Sequence, residues 1–162
     1  MKRHNPKSRQ QPDYYAKRAK QEKFPARSVY KLQEIQKKYR LIKKGHKVLD
    51  LGCAPGSWLK YAADLTGDQG LVVGVDLKAV TEKLPAHVRV KEADVMALAE
   101  DPEKRAELLE SAFDAVLSDM APATTGKKDV DAARSYNLSQ AALAITEAVL
   151  PSGGVFVCKI FQ

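Results

Sequence analysis

From residue 47 onward, apolar and polar positions alternate in two rhythms. KVLDL (47–51), GLVVGVD (70–76), HVRVKEAD (87–94), DAVLSD (114–119) and GVFVCKIF (154–161) are short runs rich in Val, Leu, Ile and Phe, and they predict five strands. The second is apolar almost throughout, as in a strand buried on both faces. Between these runs the spacing turns helical. SWLKYAADLTG (57–67) closes on Gly67, PEKRAELLESA (102–112) carries Pro102 in its first turn, and VDAARSYNLSQAALAITEAVL (130–150) stops before Pro151-Ser152-Gly153-Gly154. VMALAE (95–100) reads as one more helix, and a short helix is expected over 79–83. Strands alternating with helices predict a doubly wound, mainly parallel α/β sheet with right-handed crossovers.

Upstream the pattern differs. ARSVYKLQEIQKKY (26–39) places Val29, Leu32, Ile35 and Tyr39 at helical spacing, with Ser28 near the start and Lys31 beside the apolar stripe. Residues 1–24 hold Pro6, Pro12, many cations and few aliphatics, and read as a basic, flexible arm with a short helix near 13–22. The chain therefore divides into an arm over 1–24 and one domain over 25–162 that begins with the amphipathic helix of 26–39. The last strand ends with the chain, which leaves its open side without obvious cover and able to pair with another chain; a monomer is nevertheless expected.

Charge sharpens that division. Net charge is +13 over residues 1–47 and −6 over residues 48–162. An acidic domain with a basic leader points to a polyanion partner held by the leader. Tyr14, Tyr15, Phe24, Tyr30 and Tyr39 lie among the cations, where they can stack on bases or pack on the domain. No apolar run reaches the ~18 residues of a membrane span, and no apolar segment follows the basic start as in a secretory signal. A cytoplasmic protein is expected, with no membrane partner. Cys53 and Cys158 lack metal-ligand spacing and read as reduced thiols; no metal site is expected.

The candidate chemistry gathers at the strand ends. VLDLGCAPGSW (48–58) is a strand running into a glycine loop that contains Pro55. Asp76 ends the second strand, 20 residues after Gly56, Asp94 follows the third, and Asp119 ends the fourth. In an open α/β sheet these positions border the ligand crevice, and an acid after the second strand suits the hydroxyls of an adenosine ribose. Each acid alone can equally be a helix cap. A dinucleotide asks for G-x-G-x-x-G; here the spacing is Gly52-x-x-x-Gly56, and Pro55 offers no N–H. Asp50 and Asp119 would add negative charge beside the ligand, which repels a pyrophosphate and suits a cation. S-adenosylmethionine, with a sulfonium, an ammonium and no phosphate, is favoured over a nicotinamide dinucleotide.

VLDLGCAPGSW, VGVDL, LSDMAP and GGVFVCKIFQ, preceded by ARSVYKLQEI, closely resemble the FtsJ family of ribosomal RNA 2′-O-methyltransferases, from about residue 26 to the end. The resemblance implies a Rossmann-like class I methyltransferase fold, with about five of its seven strands present and the final two missing. It implies an enzyme that uses S-adenosylmethionine to methylate a uridine ribose of large-subunit ribosomal RNA, with the RNA or the large ribosomal subunit as partner. It places cofactor contacts at Gly56, Trp58, Asp76, Asp94 and Asp119, although Trp58 can equally be a core residue. The catalytic set it implies is Lys31, Asp119 and Lys159; the family's fourth member, a glutamate on a later strand, has no counterpart before Gln162. A truncated, impaired methyltransferase fold that only binds RNA or cofactor is the alternative.

Overall fold

The computed structural model describes residues 14, 16, 17, 20, 21, 24, 26, 28–109 and 112–160. Most of the basic arm, half of the positions expected to be helical near 13–22, and Tyr15 lie outside the described residues; residues 14, 16, 17, 20 and 21, which are described, are helical. In order along the chain come α1 (Val29–Tyr39), β1 (Lys47–Leu51), α2 (Ser57–Thr66), β2 (Leu71–Asp76), β3 (Val88–Glu92), α3 (Val95–Glu100), α4 (Pro102–Leu109), β4 (Ala115–Ser118), α5 (Lys128–Val149) and β5 (Val155–Cys158). The five strands form one sheet in the order β3-β2-β1-β4-β5, every pair parallel. The chain starts in the middle, winds out to β3, and returns past β1 to build β4 and β5. Strand order thus reverses between β1 and β4, and a crevice opens there at the carboxyl edge.

Alternation along the strands sends side chains to two packed faces. Leu49, Leu51, Val73, Val75 and Val116 meet α3, α4 and α5 through Leu98, Leu109 and Ile145. Val48, Val72, Ala115 and Leu117 meet α1 and α2 through Leu32, Leu59 and Ala62. Both faces of the central strands are therefore sealed, which is why their sequences are apolar almost without a break. The two ends of α2 are set by glycine. Gly56 precedes it at φ 111° and Gly67 closes it, donating its N–H to Ala63 at 3.0 Å.

Three expectations need correction. Residues 79–83 are not helical. Val80 packs against the α1/α2 core and against Gly56, where a Cβ would lie 3.0 Å from Val80 Cγ1, so this stretch is pinned as an irregular strap over the glycine loop. The third strand is shorter than 87–94, because Asp94 leaves the ladder to cap α3. Tyr39 does not complete the apolar stripe of α1: Val29 and Leu32 are buried and Ile35 half-buried, but Tyr39 is 58% exposed where the helix runs past the sheet. Of the other aromatics in the basic region, Tyr30 is buried, Phe24 packs on Tyr61 with ring centroids 6.4 Å apart, and Tyr14 is exposed.

Candidate functional site

The loop after β1 spends its N–H groups inside the protein. Gly52 and Cys53 donate to the Val75 carbonyl at 2.8 and 3.2 Å, and Ala54 donates to Asp76 Oδ2 at 2.9 Å. Pro55 has none to give. Three successive N–H groups at the start of the loop are thus spent inside the protein and the fourth is missing, which removes donors that a pyrophosphate would use and adds to the argument from the spacing of the glycines. Close packing explains Gly52: at φ 76° its missing Cβ would collide with Met120 Cγ from the loop after β4.

A cleft of about 360 Å³ opens beside this loop, lined by Gly52, Ala54, Asp76, Asp94, Asp119 and Met120 among others. Its size suits a small organic ligand, for which ~300–1,000 Å³ is typical. Asp76 anchors it from two sides, because Oδ1 also accepts the Lys78 N–H at 2.8 Å. Asp94 has a double placement: its Oδ1 accepts the Met96 N–H at 2.9 Å as the cap of α3, and the residue still borders the cleft. The cap reading and the ligand reading are therefore compatible at this position.

A narrower extension of about 40 Å³ continues past Gly52, Ala54 and Asp119 to Ser28, Asp50, Ser57 and Trp58. Here α1 is fastened to the loop. The Ala26 N–H donates to Ser57 Oγ at 2.6 Å, and the Trp58 indole N–H donates to the Ser28 carbonyl at 2.9 Å. Trp58 is thus chiefly a buried core residue whose edge reaches the extension. Gly56 lies at the turn into α2, under Val80, and touches neither cleft wall.

The fastening of α1 brings Lys31 to the carboxyl edge. Its Nζ stands 3.7 Å from Asp119 Oδ1. From the other side, β5 continues its ladder one residue further, the Lys159 N–H donating to the Ser118 carbonyl at 2.9 Å. That places Lys159 beside Asp119: Nζ lies 2.9 Å from Oδ1 and donates to the Asp119 carbonyl at 2.8 Å. Asp119 and Lys159 are largely buried, whereas Lys31 is 59% exposed. The inner pair is held tightly and shielded from water; the outer contact is long and solvated, and such contacts are worth little to stability. Three residues from three distant parts of the chain therefore converge, and they are the three that the family resemblance singled out.

Asp50 is different from what the sequence argument assumed. It is 1% exposed, on the β1 face covered by α1 and α2, and its Oδ2 has no hydrogen-bond partner among the described residues. Burial first, then the neighbouring charges of Asp119 and Asp76, push its pKa up to about 8. At neutral pH it holds a proton, so it does not add the negative charge credited to it above. The case for a cationic ligand rests instead on the spent loop N–H groups and on Asp76, Asp94 and Asp119. Burial also pushes both cysteine thiols up, which makes them poor nucleophiles. Cys53 is buried and Cys158 half-buried, and both are free. Among the described residues no His, Cys, Asp and Glu cluster is placed to hold a metal ion, and no helix is long and apolar enough to cross a membrane.

The ribosomal RNA large subunit methyltransferase E of Desulforapulum autotrophicum is 54% identical over 160 residues, which are 99% of this chain and 77% of that protein. Among solved structures, a Plasmodium falciparum protein described as a ribosomal RNA methyltransferase superposes with a TM-score of 0.74 at 26% identity, covering 86% of this chain and 79% of its own. The MycE methyltransferase of mycinamycin biosynthesis, solved with Mg and SAH, superposes with a TM-score of 0.52 at 16% identity over 71% of this chain and 30% of its own, a likeness of fold alone. A model of the FtsJ-like methyltransferases matches residues 24–162. With the family model spanning nearly the whole described domain and the relative matching almost the full chain, the chain belongs to the FtsJ-like methyltransferase family.

Proposed function

We propose that this protein is an S-adenosylmethionine-dependent 2′-O-methyltransferase acting on a uridine ribose of large-subunit ribosomal RNA, working as a monomer in the cytoplasm. The observation that carries the reading is the convergence of Lys31 and Lys159 on Asp119 at the mouth of the cleft. The names of the 54%-identical relative and of the Plasmodium falciparum structure support a ribosomal RNA substrate, and membership of a methyltransferase family supports a methyl-donating cofactor.

S-adenosylmethionine, when bound, supplies a methyl group on a cationic sulfur already activated for transfer. Asp76 would hold the ribose hydroxyls, Asp94 the adenine edge, and the 52–58 loop the methionine portion. The remaining difficulty is the acceptor, because a ribose hydroxyl is a poor nucleophile at neutral pH. In this reading Lys159, held against the cleft-lining Asp119, meets that oxygen. As the free amine it takes the hydroxyl proton; as the ammonium it steadies the growing negative charge on oxygen. Asp119 fixes the Lys159 amine through its carboxylate and its backbone carbonyl together, so the amine is aimed before substrate arrives. Lys31, exposed and on the RNA side, is suited to a phosphate or the sugar edge.

The reading is tested by incubating the chain with methyl-labelled cofactor and large ribosomal subunits, then hydrolysing the RNA in alkali. A 2′-O-methyl group blocks cleavage at its own nucleotide, so the label should appear in an alkali-resistant dinucleotide that begins with modified uridine. Label in alkali-sensitive mononucleotides would mean base methylation. Cofactor and RNA binding without any transfer would favour the impaired-binder alternative.

A further inference from the structure

A second cleft, of about 410 Å³, lies at the opposite, amino edge of the sheet. Tyr39, Arg40, Lys43 and His46 form one wall and the Pro151–Gly154 turn the other. We infer that this cleft holds a single-stranded segment of the RNA substrate, with a base against Tyr39 and phosphates on Arg40 and Lys43. The inference rests on the ribosomal RNA reading above and adds a contact remote from the catalytic edge.

Charge is the first support. Residues 37–47 contain six Lys and Arg and no acid. Asp114 is the one acid on the cleft wall, and its Oδ2 is already engaged by the Lys47 N–H at 2.7 Å. The second support is strain. Arg40 sits at φ 51° and ψ 47°, the left-handed conformation at a helix end where glycine or asparagine is usual. It is the one non-glycine residue with positive φ among the described residues, and it is exposed. The strain is held in place: Gln36 Nε2 donates to the Ile42 carbonyl at 2.7 Å, and Gln36 Oε1 accepts the Ile42 N–H at 2.9 Å. A cation kept on strained, clamped backbone beside a cleft points to a ligand contact.

The third support is the aromatic ring. Tyr39 is exposed, with Lys38 Nζ 4.9 Å from its centroid. An exposed ring among cations is how proteins stack unpaired bases while tracking a phosphate backbone, a pairing of contacts that single-stranded RNA uses in full. His46, on the same wall, has a buried Nδ1 without a hydrogen-bond partner among the described residues. Finally, α1 links the two edges. Lys31 at the catalytic edge and Lys38 near the second cleft share one exposed helix face, roughly 10 Å apart along the axis, with Glu34 the acid between them.

The test compares the full chain with Tyr39→Ala, Arg40→Gly and Lys43→Ala, using a fluorescein-labelled single-stranded RNA, calorimetry with S-adenosylmethionine, and methyl transfer to large subunits. Arg40→Gly is informative because it removes the guanidinium and relieves the strain, so its Tm should equal or exceed the parent's. Tyr39→Ala should weaken RNA binding about tenfold. Arg40→Gly and Lys43→Ala should each weaken it about threefold or more and reduce the salt slope by about one. Cofactor affinity and kcat should not change, while KM for subunits rises. Unchanged RNA affinity in all three variants overturns the inference. So does a loss confined to intact subunits, which would indicate an acidic ribosomal protein instead. A parent that transfers no methyl group while the variants still lose RNA would refute the methyltransferase reading and leave this cleft standing.

Discussion

The two edges of the sheet have opposite characters. At the carboxyl edge, Asp50, Asp76, Asp94 and Asp119 lie at or just past the ends of four neighbouring strands, half-buried or buried, with lysines brought in from α1 and β5. At the amino edge, cations from the end of α1 and the following loop stand in solvent around one engaged acid. The difference teaches where each kind of charge can work. Acids in a partly dry crevice hold a small cationic ligand and aim an amine. Exposed cations over an open surface suit a long polyanion whose phosphates repeat. One sheet thus separates the chemistry from the gripping of a large substrate, and α1 spans the distance between them.

The comparison breaks first at Lys159. Lys159→Ala should lower methyl transfer by about 10²–10⁴-fold, the usual share of a proton-handling side chain, with cofactor affinity unchanged. Turnover above a tenth of the parent's would remove Lys159 from the mechanism. A smaller but still large effect is expected at the loop. Gly52→Ala forces a Cβ onto Met120 at left-handed φ, which should cost roughly 2–5 kcal/mol of stability by chemical denaturation, strain and overpacking together. Recovery of at least part of that loss in the Gly52→Ala/Met120→Ala double variant would confirm the steric cause.

Asp50 gives a pH test of the acidic edge. Its pKa is raised from 3.8 to about 8, so the folded protein binds more protons than the unfolded chain between those values. Stability contributed by the protonated acid is full below about pH 4 and is lost as pH rises through 8. Relative to Asp50→Asn, the parent should therefore lose stability across that window; parallel curves would mean that Asp50 is not buried as a neutral acid. The smallest effect concerns the whole basic region. RNA affinity should fall steeply as salt rises while cofactor affinity changes little. Equal salt dependence of the two would erase the contrast between the edges.

Much of this was legible in the sequence, for reasons that differ by element. The strands were readable because burial on both faces leaves apolar runs, and β1 and β2 match their expected limits to within a residue. Asp119 and Asp76 were readable because a strand end fixes a side chain's place once the strand is known, whereas Lys159 was singled out by the family resemblance. Lys31 needed more: its arrival depends on Ser57 and Trp58 fastening α1 across about 30 residues of sequence, which no local pattern displays. The 79–83 strap was misread because its tertiary contact with Gly56 outweighs weak helical spacing. The proton on Asp50 was invisible, since burial belongs to the assembled sheet. The amino-edge cleft was hidden for the same reason, because its walls lie more than 100 residues apart in the chain.

The most direct measurement is isothermal calorimetry of the folded protein with S-adenosylmethionine, its demethylated product and a nicotinamide dinucleotide in parallel. Saturable one-to-one binding of the first two, weakened by Asp76→Ala, with no heat from the dinucleotide, is the expected result. Silence toward both adenosine sulfur compounds, together with tight uptake of the dinucleotide, would contradict the assignment of the carboxyl-edge crevice.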